Sequence, residues 1–148
     1  MGKYFEDINI GDEIVSGGVT LTESAIIDFA LKYDPQRFHI DVAAATESPF
    51  GGLISSGFQT LALGFRMFFN TGFISDTGLG SPGIQDLKWL QPVRPGDTLR
   101  TKVLIRGKRE SKSKPDRGLL DLEYTVLNQK DEPVLTMTSL AFILRRPS

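Results

Sequence analysis

Ser56-Gly57-Phe58-Gln59-Thr60-Leu61-Ala62-Leu63-Gly64-Phe65-Arg66-Met67-Phe68-Phe69-Asn70 is the stretch on which the fold turns. Its apolar residues fall nearly all round a helix rather than along one stripe. That pattern predicts a buried helix, not a surface one. Downstream the period changes. Ile84 to Val93 reads as a strand ended by the turn pair Pro95-Gly96. Thr98 to Arg106 places Leu99, Val103 and Ile105 on one face, and Leu120, Leu122, Tyr124 and Val126 alternate in the next run. Val134 to Leu144 is apolar at almost every position, which predicts a central strand covered on both sides. An antiparallel sheet must cover its inner face with something apolar, and the Ser56–Asn70 helix is the candidate. The expected class is α+β, an antiparallel β-sheet wrapped around a long central helix.

Upstream of the helix, Phe5 to Val19 reads as a short extended segment with Gly11-Asp12 and Gly17-Gly18 as turn signals. Thr22 is a suitable N-cap for a helix over Glu23 to Tyr33, with Ile26, Ile27, Phe29, Ala30 and Tyr33 on one face. Pro35 stops that helix, because the residue before a proline is pushed out of the helical region. Asp41 to Thr46 predicts one helical turn, and Gly51-Gly52 a loop.

Composition narrows the function. With 148 residues the chain reads as one domain over 1–148, long enough for a real core. At 40% hydrophobic and 24% charged it is expected to fold rather than stay disordered. A net charge of −1 gives no electrostatic case for nucleic acid. There is no cysteine, which removes disulfides, thiolate nucleophiles and Cys-based metal sites. One histidine per chain excludes a multi-His metal site within it. The N-terminal stretch has no apolar signal region, and Leu61–Phe69 is too short to span a bilayer, so a cytoplasmic protein with no membrane partner is expected.

The lone imidazole is where chemistry concentrates. It lies in Asp34-Pro35-Gln36-Arg37-Phe38-His39-Ile40-Asp41, on a proline-broken segment that brings an acid near it. Gly57 follows where the long helix begins, and a helix start offers free N–H groups and a positive dipole end. Acid, imidazole and anion-binding amide are the parts needed to move protons beside a carbonyl.

These residues resemble the MaoC-like dehydratases, which include the (R)-specific enoyl-CoA hydratases of the hotdog fold. The shared pattern is Asp34…Phe38-His39-Ile40-Asp41, then Ser48-Pro49-Phe50 leading to Gly57, then Pro92-Val93-Arg94-Pro95-Gly96-Asp97. Two departures matter. Gln36-Arg37 stand where Asn-Pro is frequent, and Ser56 stands where many hydratases carry His. The resemblance implies a hotdog fold, Asp34 and His39 as the catalytic pair, and the Gly57 N–H as oxyanion donor. Gln36 and Ser56 are then residues that shape the site. It implies reversible hydration of a 2-enoyl-CoA or related acyl thioester, with the coenzyme A thioester as substrate and no further cofactor or metal. It also implies a homodimer or higher even oligomer with each site near the subunit interface.

Blander readings stand beside these. Asp41 caps the following turn, and Gly57 alternatively serves only close helix–sheet packing. The aromatic set Phe58, Phe65, Phe68 and Phe69 is core, or the lining of an acyl tunnel. Lys108, Arg109, Lys112, Lys114 and Arg117 are a solvated hairpin loop, or a contact for coenzyme A phosphates. Arg37 meets a substrate phosphate or only solvent. Competing functions are an acyl-CoA thioesterase and a non-catalytic acyl-thioester-binding protein.

Overall fold

The computed structural model describes residues 1–148. After a 3-10 turn at Phe5–Asp7 come β1 (Glu13–Val15) and β2 (Val19–Thr20). Three helices follow: α1 (Glu23–Tyr33), the single turn α2 (Arg37–Ile40) and α3 (Val42–Glu47). Then come α4 (Gly57–Phe69), β3 (Ile84–Trp89), β4 (Thr98–Glu110), β5 (Arg117–Leu127) and β6 (Pro133–Leu144). The strands lie in the order β1-β4-β5-β6-β3, all antiparallel, with β2 also on β4.

Local chemistry explains the helix ends. The Thr22 hydroxyl accepts from the Ala25 N–H and starts α1. Pro35 ends it as expected, with Asp34 at φ −158° and ψ 71°, outside the helical region. The Asp41 carboxylate accepts from the Ala44 N–H and starts α3, which is the capping reading of that residue. Ser56 caps α4 by accepting from the Phe58 N–H.

Helix α4 crosses the concave face of the sheet. Gly64 lets the two backbones approach: a Cβ there would stand 2.8 Å from Cγ2 of Val126. The Thr101 hydroxyl fills the gap by donating to the Gly64 carbonyl at 2.8 Å. Phe68 and Met67 join the core cluster that holds Val103, Leu122, Tyr124 and Met137, with the Phe68 ring edge-on to Tyr124. Burying Phe68 alone stabilises the fold by roughly 2–3 kcal/mol.

Several expectations need correction. Helix α4 is not buried all round: Phe58 is 58% exposed, Phe65 47% and Phe69 39%. The side carrying Thr60, Gly64, Met67 and Phe68 is buried, while Trp89 of β3 meets Phe58 edge-on and Gln59 donates to the Ala25 carbonyl of α1 without covering the aromatic side chains fully. Of the aromatic set, only Phe68 is core. Tyr33 is exposed, because α1 buries only Ile26 and Ala30.

The strands also differ in detail. β3 stops at Trp89 rather than Val93, because Pro92 has no N–H and the Val93 carbonyl turns to accept from the Ser55 N–H. β6 is flanked by β5 and β3, but β5 is the middle strand, and the outward residues of β6 are only half-buried. Phe5–Asp7 is a 3-10 turn rather than extended chain. Of the five basic residues expected in the hairpin loop, Lys108 and Arg109 lie within β4 and Arg117 opens β5, and the Lys108 ammonium donates to the Phe5 and Ile8 carbonyls. No helix is long and apolar enough to cross a membrane.

Candidate active site

The turn α2 carries His39 inward, where it is 4% exposed. Its Nδ1 lies 2.7 Å from the Ile54 carbonyl oxygen. A carbonyl only accepts, so Nδ1 carries the proton and Nε2 is left for proton exchange. Nε2 faces Oδ2 of Asp34 at 3.3 Å. The backbone of Ile54 is itself held, its N–H donating to the Phe38 carbonyl at 3.1 Å.

Two side chains hold the Asp34 carboxylate. The Ser56 hydroxyl donates to Oδ2 at 2.7 Å, and the Gln36 amide donates to Oδ1 at 2.8 Å. Burial alone would raise the pKa of this carboxyl. The hydrogen bonds from Ser56 and Gln36, with a smaller contribution from the neighbouring His39, more than offset that and bring it below the ordinary carboxylate value. Ser56 therefore has two tasks at once, capping α4 and fixing one oxygen of Asp34.

This has a consequence for stability. A carboxyl depressed in the folded state stabilises the fold above its unfolded pKa of about 3.9. That contribution is lost as pH falls through the folded value. Ser56→Ala is expected to lower Tm at pH 7 through both the lost cap and the lost Asp34 bond. The penalty shrinks towards the cap alone, about 1 kcal/mol, as acid protonates Asp34. Thermal melts of both proteins from pH 7 downward check this; a pH-independent difference would contradict it.

Gly57 opens α4, and its N–H donates to no acceptor within the protein. The reason for glycine here is the Trp89 indole. Its Nε1–H donates to the Gly57 carbonyl at 2.8 Å, and an added Cβ would stand 2.6 Å from the ring. A cavity of about 420 Å³ joins these parts. Asp34, Gln36, His39 and Gly57 line it, walled by Phe50, Ile54, Ser55, Phe58, Thr60, Trp89 and the segment Leu90–Val93.

Asp34, His39, Gly57 and Gln36 thus meet at one cavity, with Ser56 behind them. Asp41 does not line it, nor do Arg37, Lys108, Arg109, Lys112, Lys114 or Arg117. Trp89 and the Ile54 carbonyl escaped the sequence reading. Trp89 had one signal, as the only tryptophan. A backbone carbonyl has none, since any residue supplies it.

Residues 8–125 match the family described as MaoC like domain. The chain is 30% identical over 129 residues to the uncharacterized protein YdeM of Bacillus subtilis, covering 87% of this chain and 90% of that one. It is 34% identical over 111 residues to an (R)-specific enoyl-CoA hydratase of Rhodospirillum rubrum, covering 70% of each. The crystal structure of a MaoC-like dehydratase from Rhodospirillum rubrum superposes with a TM-score of 0.92 at 36% identity, over 99% of this chain and 100% of that one. A Mycobacterium tuberculosis protein described as a double hotdog fold matches at TM-score 0.76 and 22% identity, over 99% of this chain and 46% of that one. The sheet curled round α4 is thus a hotdog fold, and the chain belongs to the MaoC-like domain family.

Proposed function

We propose that the protein is a hydro-lyase that adds water reversibly to a 2-enoyl thioester, giving a 3-hydroxyacyl thioester. One observation carries the reading: Asp34 Oδ2 and His39 Nε2 lie 3.3 Å apart in the same cavity as the unpartnered Gly57 N–H. The similarity to an (R)-specific enoyl-CoA hydratase supports the substrate class.

The chemistry follows from the tautomer and the charge. With Nδ1–H held by Ile54 and Asp34 kept ionised, both facing atoms accept, and a water placed between them donates to each. As the water oxygen bonds to Cβ, one proton passes to the pair and the C=C electrons move towards the thioester oxygen. The Gly57 N–H, at the positive end of α4, binds that oxygen. The pair then returns a proton to Cα on the same face. Overall H and OH add across the double bond, with no net gain or loss of protons by the enzyme.

Hydration of crotonyl-CoA and longer enoyl-CoAs, followed by loss of the enoyl chromophore, tests the reading. Turnover without thiol release supports it. Thiol release would instead identify a thioesterase, and ligand binding without turnover a non-catalytic acyl-thioester protein.

We also propose that the working unit is a homodimer. Phe65 and Phe69 on α4 remain largely exposed, and β3 is an open sheet edge whose end residues Ile84 and Trp89, with the following Leu90, are exposed. Sedimentation at micromolar concentration is expected to give a dimer, and Phe65→Glu a monomer. A monomeric wild-type chain would contradict the proposal.

A further inference from the structure

The cavity contains one carboxylate, Asp34, and no cation among its lining residues. Its rim has one. Arg94 follows the cavity residues Pro92 and Val93, and its guanidinium Nη2 donates to the Phe50 carbonyl, on the opposite rim, at 2.6 Å. It is the only lysine or arginine whose side chain is hydrogen-bonded to a residue lining the cavity.

The backbone fixes where this cation sits. The Arg94 N–H donates to Oδ2 of Asp97 at 2.9 Å, and the Asp97 N–H returns to the Arg94 carbonyl at 3.0 Å. Pro95 and Gly96, with Gly96 at φ +90°, complete a tight turn that needs glycine there. The side chain stays exposed and has no carboxylate partner. The nearby Asp97 carboxylate is occupied by the Arg94 N–H and by the Gln129 amide. Gly52 stands beside the guanidinium, where an added Cβ would make ordinary van der Waals contact with Nη1 at 3.4 Å.

A guanidinium has five N–H donors in a planar fork, and a single bond to Phe50 uses only one of them. A charged phosphate does not enter an apolar cavity without large desolvation cost, so the phosphorylated arm of a thioester stops at the rim while the acyl end goes in. We propose that Arg94 binds a phosphate of the coenzyme A arm, making it the residue through which the site distinguishes coenzyme A thioesters from carriers lacking phosphate. This rests on the hydration reading.

The test compares wild type, Arg94→Gln and Arg94→Lys on crotonyl-CoA and on the crotonyl thioester of N-acetylcysteamine, which has no phosphate. Arg94→Gln is expected to raise KM for crotonyl-CoA about tenfold, the size of one charge-assisted contact, and to move KM for the short thioester less than about twofold. Arg94→Lys, with charge but no fork, falls between. Equal losses on both thioesters would make Arg94 a mere strap between the two rims and overturn the proposal, as would no change on either. If the wild type hydrates neither thioester, the hydration reading fails, and calorimetric titration with coenzyme A itself still decides on Arg94. Binding that weakens about tenfold in Arg94→Gln supports its role; no binding, or unchanged binding, overturns it.

Discussion

His39→Ala and Asp34→Asn are each expected to lower kcat for enoyl-CoA hydration by about 10³-fold or more, with the fold retained. General acid–base groups contribute roughly 10²–10⁴-fold each, and in the proposed mechanism two of them share one water, so losing either disables the unit rather than half of it. The two variants fail for different reasons. His39→Ala removes Nε2 and leaves the Ile54 carbonyl without the Nδ1–H that it accepts at 2.7 Å. That unpaired buried acceptor costs about 1–3 kcal/mol, so Tm falls as well. Asp34→Asn is nearly isosteric, keeps an oxygen for the Ser56 hydroxyl, and removes the charge without emptying the site. Steady-state kinetics beside circular-dichroism melts separate the effects. Near-wild-type turnover in a folded Asp34→Asn protein would sink the mechanism.

Gly57→Ala is expected to lower kcat/KM by about 10²-fold although the backbone N–H survives the substitution. The added Cβ would stand 2.6 Å from Cε2 and Nε1 of Trp89. Either the indole moves, breaking its bond to the Gly57 carbonyl, or the first turn of α4 moves and re-aims the N–H. Overpacking of this kind costs about 1–3 kcal/mol of stability. A double-mutant cycle locates the cause. In a Trp89→Leu background the same Gly57→Ala change should cost far less, because the ring it strikes is gone. An equal cost in both backgrounds would mean that crowding by Trp89 is not the reason for glycine. The alternative that this glycine serves close helix–sheet packing has a structural basis: the side chain nearest an added Cβ is Trp89 of β3.

Much of the architecture is legible in periodicity. Leu120, Leu122, Tyr124 and Val126 alternate because every second side chain of a strand faces the core, and all four are buried. Thr22 and Pro35 bracket α1 through rules that act within a few residues. The sequence reading of α4 failed in one instructive way. Its all-round apolar character predicts burial within the chain, yet Phe58, Phe65 and Phe69 stay exposed. Hydrophobicity reports that a face needs a partner and does not say whether the same chain supplies it.

The site divides along the same line. Asp34, His39 and Gly57 could be named from residue type and spacing, because a proline-broken turn and a helix start are local events. By itself the sequence determined the sheet around α4, the acid and imidazole close together, and an amide at a helix start. Only the tertiary structure decided that the Ile54 carbonyl sets the imidazole tautomer, that Ser56 and Gln36 each hold one oxygen of Asp34, and that Trp89 leaves no room for a side chain at Gly57. Ser56 meets Asp34, and Trp89 meets Gly57, only after long loops close. Local propensity carries no record of such contacts, which follow from packing the whole chain.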